Sequence, residues 1–450
     1  MSGAAFHLPQ EVWFQVCLFL SDEEKGNVRS SCKYFKRLID HPSMWRNSSV
    51  VLKKIRSYNS AYWATLRRRK ISKVVVHKAG TREWELIATS LPWLRAITID
   101  KFMDVKALGT LQRFKNLNRL VIRSFQCPSG LATVLAPLRQ LTHICLCDLH
   151  RAPRAELISA LSQLIGLTSL FYHEGDKPIS SRTLQSMLVC LPNLTELSLK
   201  MGAVYGTLPD DYFHLPKTHG DPTSEVAALD TVPNKSISGR EDPGQSDRGL
   251  TRLELLNYMD PILSPVALEP LCRLQSLTVC YRDRAVEPSR CNLSVWLRKL
   301  PCLTELTVAR GYPLGVYVRS LPATLRSLSL LQVIIGPGDL SALGKRTPDL
   351  QRLHLDLCSY GRQSGLHELP VLFPKLKTLK LRHWNMTEAE FVGLAQLRHL
   401  QQLVVLDAQP GPSPALSSLI QKLQIETDYR VQVIHSLIPR DPTACFCSQY

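Results

Sequence analysis

The sequence contains no apolar run approaching the ~20 residues that a membrane-crossing helix needs, so a bilayer span is not expected. A secretory pattern is also missing. Val12–Leu20 is apolar, but it follows Glu11, contains Gln15 and ends in no small-residue cleavage site. The 13 cysteines, an odd and scattered set, therefore read as reduced thiols of the cytosol or nucleus. No phosphate-cradling loop occurs, because Gly344-Lys345-Arg346 lacks both the glycine spacing and the Ser or Thr. His367-Glu368 has no second His, and Cys145 and Cys147 stand too close for the usual zinc pair. A nucleophile elbow is missing as well. Cys445 and Cys447 have no metal-site partners, and Cys447-Ser-Gln-Tyr is no prenylation box. These absences leave no parts for a catalytic centre, so neither an enzyme activity nor a cofactor nor a metal is expected.

One further absence is local. No Asp or Glu occurs between His41 and Arg82, in a chain of formal net charge +17. That stretch holds Arg46, Lys53, Lys54, Arg56, Arg67, Arg68, Arg69, Lys70, Lys73 and Lys78. Such a patch attracts nucleic acid, anionic lipid or an acidic protein surface. Neither zinc-finger spacing nor a recognition helix accompanies it, so nucleic acid is not the expected partner. Arg67–Lys70 suits a nuclear import signal or a solvated basic face.

What the chain has in abundance is one pattern: apolar, two others, apolar, one other, apolar. It runs from Leu94-x-x-Ile97-x-Ile99 to Leu400-x-x-Leu403-x-Val405 in twelve copies, whose starts lie 22 to 29 residues apart outside one gap. Strict alternation at its end is the period of a half-buried strand. Between copies lie apolar helical stretches, Val105–Phe114, Ala155–Leu164, Ser181–Leu191 and Glu388–Leu397, the last opened by a capping box at Thr387-x-x-Glu390. A period of ~20–29 residues with this consensus is that of a leucine-rich repeat. The expected fold is α/β: a curved solenoid with parallel strands on the concave face, because one strand and one helix bury an apolar face only by stacking. Ile71-x-x-Val74-x-Val76 is an atypical first copy.

Residues 1–47 are not a repeat. Leu8-Pro9 precedes a helix whose Val12, Val16, Phe19 and Leu20 share one stripe. After the polar turn Ser21–Gly26, a second amphipathic stretch, Val28–Ile39, carries Cys32, Phe35 and Leu38; Pro42 stops it and Trp45 follows. About forty residues make too small a core to stand alone. Leu8-Pro-x-Glu-Val12, Cys32-Lys-x-Phe35 and Pro42-x-x-Trp45-Arg46 resemble the F-box motif, without insertions. Two positions depart from it: Lys25 follows Glu24, and Ser31 precedes Cys32, where apolar residues are usual. With the repeats, the chain resembles the F-box/leucine-rich-repeat family, the substrate receptors of SCF-type ubiquitin ligases. The resemblance implies a small all-helical F-box on a Skp-type adaptor and, through it, cullin and RING subunits. It makes Leu8, Pro9, Val12 and Val16 adaptor-facing, and places Leu20, Cys32, Phe35 and Trp45 in that interface or in the unit's own core.

The rest of the chain divides as follows. Residues 48–70 form a basic bridge with Tyr58, Tyr62 and Trp63; 71–204 and 250–408 are the two halves of the repeats. Residues 205–249, punctuated by proline and glycine and without apolar periodicity, read as a disordered insertion. One degenerate repeat around Val226–Leu229 would fit its length. Residues 409–450 read as a cap, with a helix at Ala415–Leu423 and an edge strand at Tyr429–His435, and a polar tail.

The third, fifth and seventh pattern positions should point out of the concave face. Early copies place Arg119, Arg123, Phe171 and His173 there, and late copies Arg352, His354, Lys380 and Arg382. These are the candidate substrate-binding residues, and their arginines suit an acidic or phosphorylated protein substrate. The expected function is substrate recognition for an SCF-type ubiquitin ligase. The alternative is a leucine-rich-repeat scaffold or inhibitor that binds a protein without ubiquitin chemistry. Charge alone raises a third reading, a nucleic-acid-associated protein.

Overall fold

The computed structural model describes residues 8–437 apart from 21, 47, 101–104, 127–129, 151–152, 176, 203–205, 215–248, 285–286, 361–364, 408 and 410. The Val226–Leu229 stretch and the tail cysteines lie outside the described residues. At the N-terminus stand helices α1 (Gln10–Leu18), α2 (Asp22–Ser31) and α3 (Lys33–Ile39), closed by a 3-10 turn at Pro42–Trp45. Cys32 caps α3, its sulfur accepting from the Phe35 N–H at 3.5 Å.

The repeats follow as strands β1 (Val50–Leu52), β2 (Lys73–His77), β3 (Ala96–Asp100), β4 (Arg119–Gln126), β5 (His143–His150), β6 (Ser169–His173) and β7 (Glu196–Lys200). Then come β8 (Arg252–Tyr258), β9 (Ser276–Arg284), β10 (Glu305–Gly311), β11 (Ser327–Leu331), β12 (Ile334–Ile335), β13 (Arg352–Asp356), β14 (Ser359–Tyr360), β15 (Thr378–Leu381), β16 (Gln402–Asp407) and β17 (Gln432–Leu437). All but β12 and β14, which pair with each other, form one fifteen-stranded sheet in chain order. Its neighbours are parallel and in register: Ile97 opposes Leu120, Ile99 opposes Ile122, Leu353 opposes Leu379. From β2 to β15 the carbonyl before a strand of the large sheet takes two N–H groups from the next turn, as Arg95 does from Asn118 and Arg119 at 3.0 Å.

The first, fourth and sixth pattern residues are buried in every copy, in one continuous core that runs from Cys17 to Val431. Each buried leucine contributes about 1.5–3 kcal/mol. The chain is thus a leucine-rich-repeat solenoid behind a small helical unit. Helices close several turns where apolar periodicity placed them, at Arg154–Ser162, Ser181–Cys190 and Glu388–Gly393. The capping box forms, with Glu390 N–H on Thr387 Oγ1 and Thr387 N–H on the Glu390 carboxylate.

Three findings differ from the sequence reading. The segment 48–70 is itself a solenoid turn: β1 pairs with β2, and α4 (Ser60–Arg68) buries Trp63 and Leu66 behind it. The sheet runs across the gap without an intervening strand: β7 pairs directly with β8, and Thr195 O takes the N–H groups of Thr251 and Arg252 at 2.8 and 3.0 Å. The described start of the insertion, 206–214, is packed: Tyr212 and Phe213 are buried, and the Tyr212 hydroxyl donates to Ile179 O at 3.0 Å. At the other end, α5 (Pro414–Glu426) and edge strand β17 close the core.

Candidate functional site

Two surfaces carry the candidate residues. The first is α1. Its sequence is apolar on two sides, and only one side is covered. Trp13, Phe14, Cys17 and Leu20 face the core: Trp13 lies edge-on to Phe35 at 5.0 Å and Phe14 edge-on to His41 at 5.7 Å. The other stripe is bare. Leu8, Val12, Val16 and Phe19 are 46, 41, 43 and 80 % exposed, and Pro9 is exposed beside them. A helix apolar all round belongs inside something, so a bare stripe of this kind marks a docking face.

Of the eight residues assigned to the adaptor, Leu8, Pro9, Val12 and Val16 therefore lie together on that face. Leu20 and Phe35 pack half-buried against the core, and Cys32 is spent on the cap. Trp45 departs from an interface role: it is buried, and its indole N–H donates to Ile39 O. Sequence reasoning left Phe19 off the adaptor set, although 12, 16 and 19 follow helical spacing and mark it.

The two departures from the motif occupy different places. Lys25 is buried with its ammonium 5.9 Å from the Trp45 ring centroid, inside the unit rather than on the bare stripe. Its aliphatic stem stands in for an apolar side chain. Ser31 is exposed and donates to Val28 O at 2.7 Å. Asp40, buried, ties the unit to the solenoid: Arg29 donates to it at 2.8 Å and Arg69 at 3.0 Å. Burial pushes the Asp40 carboxyl up, but the Arg29 and Arg69 guanidiniums outweigh it and hold it below the usual carboxylate range.

The second surface is the concave face, where register lines the outward positions into rows. The eight candidates lie on these rows but do not share one environment. Arg119, Arg352 and Lys380 are exposed; Phe171 and His354 are half-buried. Arg123, His173 and Arg382, expected outward and accessible, are buried. The reason is lateral: strands ~4.8 Å apart let side chains of one row cover and neutralise each other. Arg382 pairs with Asp356 and stacks 4.7 Å from the Trp384 ring. The His173 ring lies 2.7 Å from Ser198 Oγ, which also bonds Glu254. Arg123 lies 3.9 Å from Asp100, which holds His77 at 2.9 Å. Val121, Cys145 and Cys147 form a separate apolar patch with Phe171.

In the later strands the rows open into a trough of 310 Å³ lined by Thr307, Ser327, Ser329, Arg352, His354 and Lys380 among others. Glu305 at its edge holds Arg352 at 2.5 Å and Arg252 at 3.6 Å. Burial first, and Lys380 beside it, push the His354 imidazole down to about 4, against the pull of Asp356. His354 is therefore neutral near pH 7. Among the described residues no group of three His, Cys, Asp or Glu side chains is arranged to hold a metal ion.

An F-box-like family model matches residues 5–50. No curated protein matches the sequence. Among solved structures, the TLR13–ssRNA13 complex aligns at 16 % identity and TM-score 0.39, over 81 % of this chain and 50 % of that one. An internalin of Listeria monocytogenes aligns at 13 % identity and TM-score 0.33, over 91 % of this chain and 92 % of its own. The Toll–Spatzle complex of Drosophila aligns at 14 % identity and TM-score 0.39, over 87 % and 55 %. The chain thus spans about half the length of two of these three structures. It carries an N-terminal F-box-like motif and a large curved parallel sheet of the leucine-rich-repeat kind, the architecture of a protein-interaction module.

Proposed function

We propose that this chain is the substrate-recognition subunit of an SCF-type ubiquitin ligase, working in the cytoplasm or nucleus. The observation that carries the reading is the bare stripe of Leu8, Val12, Val16 and Phe19 within the segment that matches the F-box-like model. A Skp-type adaptor covers that stripe and brings cullin and RING subunits with it. The concave face holds a substrate protein. The chain's own contribution is non-catalytic: fixing the substrate beside a ubiquitin-charged enzyme raises its effective concentration. The solenoid suits this task because its core is continuous with the helical unit, which fixes the distance between the two surfaces.

The test is co-purification of adaptor and cullin with the intact protein, wild-type against Leu8→Ala/Pro9→Ala and Val12→Glu/Val16→Glu, at equal expression. The wild type should recover both subunits and the variants neither, while binding on the concave face persists. A substrate should then accumulate, bound but not ubiquitinated. Recovery of no adaptor by the wild type refutes the ligase reading and leaves a leucine-rich-repeat scaffold or inhibitor.

A further inference from the structure

We infer that one rim of the solenoid, made by the chain as it enters β2, β3, β4 and β5, docks the phosphate backbone of a DNA duplex without reading its sequence. The inference stands apart from the ligase reading. Because these strands are parallel and in chain order, the residues that enter them lie along one rim. Residues 67–73, 90–97, 113–120 and 137–144 supply it. They hold ten Lys or Arg and no Asp or Glu, in a chain with 55 of the first kind and 38 of the second. The exclusion of acid is thus a property of this rim and not of the composition. Acids of the same turns stand elsewhere, Glu83 and Glu85 on the helix Thr81–Ser90, and Asp100 and Asp148 toward the far ends of β3 and β5.

Arg67 and Arg68 complement the C-terminal end of α4, and Arg69 is spent on Asp40. Neither role accounts for the rest. Lys70, Lys73, Arg95, Lys115, Arg119 and Arg139 lie in the turns or at strand starts, and none enters an ion pair among the described residues. All are exposed except Lys73, which is half-buried. Lys73 of β2 and Arg119 of β4 flank Ala96 of β3 in register, and Lys115 and Arg139 stand at equivalent places before Leu117 and Leu141. The row from Arg119 through His143 and Ser169 changes sign at Glu196 in β7, where the track ends.

Cations repeated along a track suit a chain of phosphates. A protein partner fits less well, because protein interfaces gather apolar and aromatic side chains at their centre and hold little lysine. These four segments expose no large apolar side chain. The same lack disfavours a bilayer surface, into which a peripheral protein inserts such side chains. Single strands stack their bases on open rings. Trp93 is half-buried, with its indole N–H on Ile71 O at 3.0 Å. Gln140 and Thr142 turn to the solenoid's own carbonyls, Phe114 O at 3.4 Å and Asn118 O at 3.2 Å, and not outward toward the 2′-hydroxyls of an RNA. Charge remains, and a DNA duplex needs only that. Phosphate contacts position a protein without reading bases, so the lack of a recognition helix is no obstacle.

Strands ~4.8 Å apart carry β2 to β5 across about 14 Å, the length of about four phosphates on one DNA strand. Four neutralised phosphates make log affinity fall with log salt at a slope of about −3.6, roughly a hundredfold loss between about 50 and 200 mM.

The experiment is fluorescence anisotropy on the intact protein with two labelled DNA duplexes of unrelated sequence, titrated at several KCl concentrations. Competitors are the single strand, an RNA duplex, polyglutamate and phosphatidylserine vesicles. Both duplexes should bind alike, with a slope of about −3 to −4. Arg95→Glu/Lys115→Glu/Arg139→Glu should weaken binding at least about tenfold and flatten the slope toward about −1. Arg319→Glu/Lys345→Glu/Arg398→Glu, at exposed cations of later turns, changes the net charge equally and should weaken binding less than about twofold. Circular dichroism checks that both variants are folded. No duplex binding, a flat salt dependence, equal loss in the two variants, a strong preference between the two sequences, or tighter capture of any competitor overturns the inference. Adaptor recovery should be the same for both variants as for the wild type, since the bare stripe of α1 is made of other residues. Loss of duplex binding with normal adaptor recovery in the wild type refutes the inference alone; duplex binding without adaptor refutes the ligase reading alone.

Discussion

The Arg69 guanidinium lies 3.8 Å from the centre of the Trp45 ring, one residue contributed by the first solenoid turn and the other by the helical unit. The same guanidinium donates to Asp40 at 3.0 Å. A cation on an aromatic face contributes about 0.5–2 kcal/mol, and the buried carboxylate adds a charge-assisted bond. This joint fixes α1 relative to the concave face. Asp40→Asn leaves Arg29 and Arg69 without their counter-charge and should destabilise the protein by about 3 kcal/mol. Arg68, exposed and 3.4 Å away, should matter little. Because the folded carboxyl is held low, its contribution is complete above the unfolded value near ~3.9 and is lost as pH falls through the folded one. Thermal melts of wild type and variant from pH 7 to pH 2 should therefore converge at the acid end. A constant difference across that range would show that Asp40 acts through packing alone.

The solenoid was legible because its signal is redundant. Leu353 and Leu355 are buried for the same reason as Ile97 and Ile99, so each copy checks the others. β1 escaped notice because its turn has Asn47 where the repeat's first leucine belongs, and only Val50 and Leu52 keep the pattern. On the concave face the alternation alone expects Arg123, His173 and Arg382 on outward rows. It could not foresee their burial, which depends on which residue the next strand brings alongside. Asp356 beside Arg382 lies 26 residues away in sequence, and Ser198 beside His173 lies 25 away and reaches it diagonally, since Ser198 stands in register with Phe171. The bare stripe of α1 was legible as apolarity, but which of its two sides is covered is settled only by Phe35 and His41 arriving from elsewhere.

Asp260 offers a pH dependence of opposite sign. The Tyr258 hydroxyl donates to its Oδ1 at 2.7 Å, while Oδ2 is enclosed without a partner among the described residues. Tyr258 and Tyr281 lie ring to ring at 5.5 Å, and Tyr281 and Tyr312 at 5.6 Å, so the surroundings are aromatic. Burial pushes the Asp260 carboxyl up to about 6, with the Tyr258 and Tyr312 hydroxyls opposing. A carboxyl raised in the folded state costs stability as pH climbs from its unfolded value near ~3.9 to its folded one. Asp260→Asn should thus gain about 2 kcal/mol at pH 8 and nothing at pH 4. Denaturant melts at the two pH values check this, and an equal effect at both would remove the charge from the explanation.

The described start of the insertion, 206–214, is tied to the solenoid. Tyr212 and Phe213 are buried edge to face at 4.9 Å, and the Leu208 N–H donates to Ile262 O at 2.7 Å, joining the segment to the turn after β8. A deletion of 205–249 removes these side chains; a deletion of 215–248 spares them. Losing a buried aromatic costs about 3–5 kcal/mol, whereas shortening a loop changes closure entropy by less than about 1 kcal/mol. The longer deletion should melt several degrees below the shorter one, as scanning calorimetry would measure. Equal melting temperatures would show that Tyr212 and Phe213 contribute nothing to the folded chain.

Lys25 tests whether the sequence's departure from the F-box motif weakens the proposed adaptor docking. Its side chain enters the unit over Trp45, and the bare stripe of α1 is made of other residues. Replacing it by Met keeps the length and apolar stem and removes the charge. Exchanging a buried ion for an apolar side chain of similar volume is often neutral or favourable, so Lys25→Met should leave the melting temperature unchanged or raised. If the adaptor sits on Leu8, Val12, Val16 and Phe19, its recovery should be the same for Lys25→Met as for the wild type. It should be lost for Phe19→Glu, a residue outside the unit's core. A several-fold gain in adaptor with Lys25→Met would place position 25 in the interface after all. Undiminished recovery with Phe19→Glu would mean that the exposed stripe faces something other than the adaptor.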